Sequence, residues 1–351
     1  YVLYWMIAAR RTRFNFALQH AVDRAKQFGK PLVVFEPLRV SYEWASTRLH
    51  RFVIEGMRDN AAALAKSPIT YFPYVESQPG QGAGLLQQLA RDACTVVTDD
   101  YPCFFLPRMI DAVKGRLHTR LELVDSNGVI PLRQPDRTFT EAHSYRRWMQ
   151  KHILDALLEL PQPNPVARLK LPRLDALPTA VTRKWATADF DELLDRDGID
   201  AIAIDHQVRA NPRIVGGSGQ AKQRWQRFLK HSLKQYAEDR NHPDNRATSG
   251  LSPYLHFGQL SAHQVVADLL DHETWTPDQV GKPNGKNHGF WNISPSAEAF
   301  LDQVLTWREM GFNLSHRHPD SYDQYESLPQ WARKTLAEHA DDPRPYLYCL
   351  E

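Results

Sequence analysis

The sequence predicts an α/β half built on a doubly wound parallel sheet, followed by an all-helical half. From residue 1 to about residue 125, short β-branched or apolar runs alternate with longer helical periodicities. This alternation is typical of a parallel sheet with helices on both faces. Beyond residue 180 strand signals nearly vanish, and helical patterns separated by Asn, Pro and Gly clusters dominate.

The α/β half contains five strand signals with helical periodicities between them. The strands are predicted at "YVLYWMI", "PLVVFEP", "ITYFPYV", "CTVVTDD" and "RLELVD", and the helices at residues 14 to 28, 47 to 65, 84 to 92 and 105 to 116. Open parallel sheets bind ligands at the carboxyl ends of their strands. Residues 8 to 11, 36 to 38 and 98 to 101 are therefore the predicted rim of a ligand site.

A Pro-rich connection follows. Two pieces, "PLRQPDR" and "PQPNPVARLKLPRLDALP", flank a helix predicted at about 140 to 160, and prolines make such a connection semi-rigid. We predict an α/β domain at 1–135, a connection at 136–180 and a helical domain at 181–351. Helices of the last domain are predicted at 189 to 196, 218 to 239, 261 to 271, 296 to 312 and 329 to 340.

Composition and charge restrict the class of protein. The chain has 351 residues, 42% of them hydrophobic, and a net charge of +2, so binding to nucleic acid would need local basic patches. Three cysteines without metal-ligand spacing predict a reducing compartment and no metal site. No apolar run reaches membrane length and no signal peptide is present, so a cytoplasmic protein is predicted, and we expect a monomer. The first residue, Tyr1, and the abrupt "RPYLYCLE" end predict a fragment of a longer protein.

Several local patterns leave alternatives open. Basic residues at 10 to 13, 146 to 151 and 222 to 246 fit either a solvated helix face or a track for a phosphate backbone. The stretch "GQGAG" at 80 to 84 lacks the dinucleotide spacing and predicts a plain turn, with a dinucleotide-dependent dehydrogenase as the rival interpretation. The stretch "GKPNGKNHG" at 281 to 289 predicts an exposed insertion.

The stretch "RATSGLSPYLHFGQLSA" contains more hydroxyls than one helix start needs. One of Thr248, Ser249 and Ser252 is expected to cap the following helix. The remaining hydroxyls and the amides of the helix start favour an anion such as phosphate, and Gly250 permits close backbone approach.

A helix at 300 to 313 carries an apolar stripe that includes Trp307 and fits a core helix. Gln303 lies one turn before Trp307, and the pair could stack on and hydrogen-bond a planar ring.

These segments together resemble the photolyase/cryptochrome family, and are most similar to its class II cyclobutane pyrimidine dimer photolyases. The similar stretches are "YVLYWMIAARRTRFNFAL", "VVTDDYP", "YAEDRNHPDNRATSGLSPYLHFGQLSA" and "PQWARKTLAEHADDPRPYLYCLE". The resemblance implies light-driven repair of UV-damaged DNA by electron transfer from reduced FAD. It implies an antenna role for the α/β half, and leaves open a second chromophore of deazaflavin or folate type.

The resemblance also implies roles for individual residues. The implied FAD-binding residues are Tyr236, Thr248, Ser249, Gly250, Leu251, Ser252, Glu309 and Asn313. Gln303 and Trp307 would be catalytic, and Trp307 and Arg308 would contact DNA. Class II enzymes have Glu where this chain has Gln303, which keeps the shape and the hydrogen-bonding reach but supplies neither a charge nor a proton. A cryptochrome-like photoreceptor without repair is therefore the alternative.

Overall fold

The α/β half is a five-stranded parallel sheet in the computed structural model, which describes residues 1 to 346. The end of the "YLYCLE" motif, residues 347 to 351, lies outside the described residues. The strands are β1 (Val2–Trp5), β2 (Leu32–Leu38), β3 (Thr70–Val75), β4 (Thr95–Asp99) and β5 (Leu121–Val124). Their order is β3-β2-β1-β4-β5, so the chain winds outward from β1 in both directions. The predicted doubly wound sheet is confirmed.

Helices cover both faces of this sheet: α1 (Phe16–Phe28), α2 (Thr47–Leu64), α3 (Leu85–Ala90) and α4 (Leu106–Lys114). The α1 helix begins where the Asn15 side chain accepts the N–H of Leu18, and it ends at Gly29 with φ of +61°. Two separate apolar clusters form, one on each face of the sheet. All four residues of β1 are buried, as expected of a central parallel strand.

The rest of the described chain is helical, as predicted. Its helices are α5 (Ala142–Leu158), α6 (Thr179–Thr182), α7 (Phe190–Leu194), α8 (Arg196–Asp200), α9 (Ser218–His231), α10 (Tyr236–Asp239), α11 (Ser252–His256), α12 (Ala262–His272), α13 (Pro295–Leu301), α14 (Arg308–Arg317) and α15 (Gln330–Glu338). Short 3₁₀ turns lie at Leu233–Gln235, Pro277–Gln279 and Tyr325–Ser327. The helix predicted at 218 to 239 is broken after His231.

The helix predicted at 296 to 312 contains a π-helical segment, Asp302–Trp307, between α13 and α14. Helices α9 to α14, together with α5, bury a further apolar core, in which Trp225 stacks on Phe228 and Phe300.

Packing crosses both predicted domain boundaries. Tyr145 and Ile153 of α5, from the predicted connection, are buried in the helical core. Val181 and Trp185, from the start of the predicted helical domain, pack against the sheet side of the molecule. The boundaries at 135 and 180 stay predictions, and the connection contributes to the cores of both halves.

Within residues 1 to 346, none of the helices is both long enough and apolar enough to span a membrane.

Candidate functional site

The turn at 248–252 leads into α11 and leaves its hydroxyl groups free. The expected helix cap is wrong: α11 begins after Leu251 without a side-chain cap, and Ser249 Oγ accepts only the N–H of Leu251 at 3.4 Å. Thr248 and Ser252 are exposed, and their hydroxyls form no hydrogen bond with any residue in the described range. Leu251 is buried in the helical core and anchors the turn. The turn therefore presents three hydroxyl side chains on a fixed backbone.

Arg224 of α9 lies directly against this turn. Gly250 has φ of +63°, which favours glycine, and a Cβ there would fall 2.7 Å from Arg224 Nη1. The guanidinium lies 6.0 Å from the ring centre of Tyr254. Sequence reasoning included Arg224 only as one cation of a basic run. Its proximity to Gly250 shows that the turn combines a cation with free hydroxyls, which is an arrangement suited to phosphate.

Tyr236 lies at the start of α10 and packs between α9, the helix that carries Arg224, and α13. Its ring is 7% exposed and packs edge-on against Phe228 and Phe300. Arg240 lies 5.6 Å from the ring centre. Burial raises the pKa of the Tyr236 hydroxyl, which therefore stays protonated and able to donate a hydrogen bond at neutral pH.

Gln303 and Trp307 lie on the π-helical segment. Such segments are rare and often occur at functional sites, because the wider turn redirects side chains. The indole of Trp307 is 50% exposed, which is a large apolar surface to leave in solvent. The side-chain amide of Gln303 is partly exposed and hydrogen-bonds to no residue that the structure describes. The segment thus presents a planar stacking surface and a free amide one turn apart.

Arg308 does not point outward from this segment. Its Nη1 donates to the carbonyl of Asn127 at 2.8 Å, and its guanidinium lies 4.6 Å from the ring centre of Phe312. This placement favours a positioning role at the start of the connection over the DNA contact that the resemblance implies. DNA contact by Arg308 stays a prediction.

Glu309 is buried, and its carboxylate binds the backbone just after Asn127. Its carboxylate accepts the N–H of Val129 at 2.6 Å, the N–H of Ile130 at 3.3 Å and the hydroxyl of Tyr145 at 3.4 Å. Gly128 makes room for it, since a Cβ there would lie 2.8 Å from the carboxyl carbon. Burial raises the pKa of Glu309 to about 7, although the two N–H donors oppose that shift.

Asn313 holds the connection one turn further along α14. Its Oδ1 accepts the N–H of Phe139 at 2.9 Å, and its Nδ2 donates to the carbonyl of Arg137 at 3.0 Å. The polar atoms of Glu309 and Asn313 are therefore occupied by residues of the connection and of the segment just before it. Cofactor binding by these two residues stays a prediction, and the geometry favours a role in placing the α13 to α14 helix.

An apolar cavity of about 110 Å³ opens at the rim of the sheet, where a ligand site was expected. It is lined by rim and loop residues together with two residues of the helical half: Ile7, Ala8, Arg10, Pro37, Leu38, Arg39, Tyr42, Val53, Tyr101, Phe104, Phe105, Leu106, Met109, His256 and Phe257. His256 closes α11, whose first residue is Ser252, so one short helix reaches both the cavity and the hydroxyl-rich turn.

The backbone amides that a dinucleotide would need are already occupied. Asp99 at the end of β4 accepts the N–H groups of Ile7, Ala8 and Ala9 at 2.7 to 3.0 Å, after β1. Just before the "GQGAG" loop, Gln81 Oε1 accepts the N–H groups of Ser77 and Gln78, and within the loop the Glu76 carboxylate accepts the N–H of Gly82. Carboxylate and amide oxygens thus fill the positions where phosphate oxygens would bind.

Comparison with known proteins extends over the whole chain. It is 29% identical over 352 residues to the deoxyribodipyrimidine photo-lyase of Methanothermobacter thermautotrophicus, covering 100% of this chain and 69% of that protein. It is 29% identical over 360 residues to the deoxyribodipyrimidine photo-lyase of Arabidopsis thaliana, covering 100% of this chain and 66% of that protein. The chain therefore spans about two thirds of the length of these curated relatives. No family model matches.

A solved structure shares the fold. A bacterial class III photolyase from Agrobacterium tumefaciens superposes with a TM-score of 0.64 at 16% identity, covering 96% of this chain and 64% of that one. Full-length similarity to photolyases and the same succession of a doubly wound sheet and a helical half lead to one assignment. The similarity over the whole of this chain supports its placement in the photolyase/cryptochrome family.

Proposed function

We propose that this chain acts in the light-driven repair of cyclobutane pyrimidine dimers in DNA, with FAD as cofactor. The observation that carries the proposal is the contact of Arg224 with Gly250, in a turn whose hydroxyls at 248 to 252 remain free. The relatives' name, deoxyribodipyrimidine photo-lyase, supports the reaction class. The half-exposed Trp307 on a π-helical segment supports a site for stacked bases.

The turn fits the diphosphate of FAD. Arg224 would neutralise charge, and Thr248, Ser249 and Ser252 would donate hydrogen bonds to phosphate oxygens. Tyr236 supplies a protonated hydroxyl on the neighbouring helix. Reduced FAD, when bound and excited by light, supplies an electron to the dimer.

Trp307 and Gln303 would receive the damaged bases. An extruded dimer costs only a few kcal/mol to unstack, since damaged bases are already poorly paired. The indole of Trp307 would stack on the dimer, which is worth about 1 to 3 kcal/mol per base. The Gln303 amide can donate and accept hydrogen bonds but cannot transfer a proton at neutral pH.

The test of the phosphate site is flavin retention. Ser249→Ala with Ser252→Ala should lower the flavin bound per protein while leaving the melting of the α/β half unchanged. Thr182→Ala, which removes an exposed hydroxyl from α6, is the matched control. Flavin content equal to that of the control would refute the phosphate assignment. Splitting of dimers in an oligonucleotide under blue light, absent in the dark, tests the reaction itself.

One observation favours a cryptochrome-like photoreceptor without repair activity, namely Gln303 at the lesion side. If this candidate is correct, flavin is bound, dimers are not split, and Gln303→Glu restores some repair. Repair by the unaltered protein would eliminate it. The dehydrogenase rival has no support, because the "GQGAG" loop lacks the dinucleotide spacing and the N–H of Gly82 within it is already bound by the Glu76 carboxylate.

The rim cavity would hold the second chromophore of deazaflavin or folate type. Its aromatic walls suit a planar ring, and the exposed Arg39 suits an anionic substituent, whereas Arg10 is already paired with Glu36 at 3.1 Å. Absorbance of the purified protein beyond that of FAD tests this assignment.

A further inference from the structure

The loop at 281–290 is an ordered projection between α12 and α13, not a loose insertion. Its neck is closed by a hydrogen bond of 2.7 Å from the N–H of Gly281 to the carbonyl of Phe290. Just outside the neck, Nδ2 of Asn292 donates to the carbonyl of Gln279 at 2.6 Å. These two hydrogen bonds therefore hold the two ends of the loop together.

Two side chains of α5 hold residues 284 to 286, the tip of the loop, in place. Gln150 Oε1 accepts the N–H groups of Asn284 and Gly285 at 2.9 Å each, and Gln150 Nε2 donates to the carbonyl of Lys286 at 3.1 Å. Arg146 Nη1 donates to the carbonyl of Gly285 at 2.8 Å. A Cβ at Gly285, whose φ is +78°, would lie 2.7 Å from His143 Nε2. These bonds give the loop one shape before any partner binds.

The far side of the loop is held in the same way. Glu298 of α13 is 6% exposed and accepts the N–H of Gly289 at 2.7 Å and the N–H of Trp291 at 3.0 Å. Buried groups on two helices are thus used to order an otherwise exposed segment.

The charged side chains of this loop are both positive. Lys282 and Lys286 are exposed, as is His288, and no acidic residue occurs between 281 and 290. Arg147 and Lys151 of α5, the helix beneath, are exposed as well.

The loop borders the helix that carries Gln303 and Trp307. Arg146, which holds Gly285, also pairs with Asp302 at 2.7 Å, and Asp302 directly precedes Gln303. Lys286 and His288 line a narrow gap together with Thr306, which directly precedes Trp307. The positive tip is therefore tied to the same helical turn that presents the stacking surface.

We propose that the loop 281–290 binds the phosphate backbone of DNA beside the damaged bases, through Lys282 and Lys286. This inference rests on the proposed function, because DNA is the polyanion expected at Trp307. A preformed loop loses little conformational entropy on binding, so its charges contribute more to affinity than those of a disordered segment would. Phosphate contacts of this kind position the duplex and carry no sequence preference.

The test is the salt dependence of DNA binding by the full chain. Lys282→Ala with Lys286→Ala should make the slope of log K against log salt shallower by roughly 1.8, at about 0.9 per phosphate contact. The loss of affinity should be equal on damaged and undamaged duplexes. Lys282→Arg with Lys286→Arg should retain the original slope. Lys66→Ala with Lys114→Ala, at the amino-terminal edge of the sheet, removes the same charge far from Trp307 and should have little effect.

Each outcome distinguishes this inference from the proposed function. If the unaltered protein does not bind dimer-containing DNA, the proposed function fails. If it binds and the loop variant keeps the original slope, the loop assignment alone fails. If Lys66→Ala with Lys114→Ala made the slope shallower by the same amount, the effect would come from net charge alone, and the loop assignment would be overturned. Unchanged DNA binding with lost binding to poly-glutamate would assign the loop to an acidic polypeptide and also overturn it.

Discussion

The buried carboxyl group of Glu309 makes the free energy of unfolding depend on pH in a defined direction. Burial raises its pKa to about 7 from the ordinary 4.5. Between these values the folded chain keeps a proton that the unfolded chain releases, so folding is favoured less as pH rises. The contribution of the protonated group is complete below pH 4.5 and is lost as pH passes through about 7. Glu309→Gln replaces the carboxyl by an uncharged group of the same shape and should abolish this dependence.

The size of the effect follows from the two pKa values. At 1.36 kcal/mol for each pKa unit, the free energy of unfolding of the unaltered protein should fall by roughly 2.5 kcal/mol relative to the Glu309→Gln variant between pH 5 and pH 8. The introduced amide keeps one oxygen to accept the N–H of Val129, whose nitrogen lies 2.6 Å from Glu309 Oε1. The variant should therefore fold at both pH values, and comparison remains possible.

Urea unfolding of both proteins at pH 5, 6, 7 and 8 measures this difference. All other titrating groups are shared, so subtraction isolates position 309. If the free energies of unfolding of the two proteins differ by the same amount at every pH in this range, the reasoning is refuted. A difference that grows in the opposite direction, with the unaltered protein gaining stability as pH rises, would show that the N–H donors outweigh burial.

Three further predictions concern other positions. Gly128→Ala places a Cβ 2.8 Å from the Glu309 carboxyl carbon and should destabilise the chain by about 1 to 3 kcal/mol in urea, more than the same change at Gly115, which has open space around it. Asp99→Asn places an amide against the N–H groups of residues 7 to 9 and should cost about 3 kcal/mol in a thermal melt; a loss below about 1 kcal/mol would contradict the bonding scheme. Trp307→Ala should change stability by less than about 1 kcal/mol but weaken binding to dimer-containing DNA relative to intact DNA, by about 1 to 3 kcal/mol per stacked base; equal binding to both would exclude stacking.

The sheet could be predicted because its strands are buried on both faces. Runs such as "YVLYWMI" and "CTVVTDD" are apolar without strict alternation and are separated by helical periods, which is how buried parallel strands look in sequence. Breaks inside helices could not be predicted in this way. The π-helical segment at Asp302–Trp307 carries no Gly or Pro that would mark a break, and it packs against α5, which is distant in sequence.

The free hydroxyls of the 248–252 turn were predicted from composition alone, since they exceed the need of a helix start. Its cation was not, because Arg224 reaches Gly250 from a different helix. The long-range hydrogen bonds of Glu309 and Asn313 were not predicted either. Glu309 binds the N–H of Val129 across 180 residues of sequence, and local patterns contain no information about such pairs.

The helix from α13 to α14 uses two adjacent faces for different purposes. Asp302, Thr306, Glu309 and Asn313 recur at helical spacing, and all four are buried. Three of them bond α5, the segment after β5 or the connection, through Arg146, Val129 and Phe139 among others.

Gln303 and Trp307 each follow a member of this buried row by one position and are more exposed. Any shift of the buried row must therefore move the exposed pair as part of the same rigid helix. The connection between the two halves is thus part of what positions Trp307. A change at Glu309 that leaves the turn at 248–252 intact should disturb base stacking while flavin binding persists, and a loss of both together would contradict this division of roles.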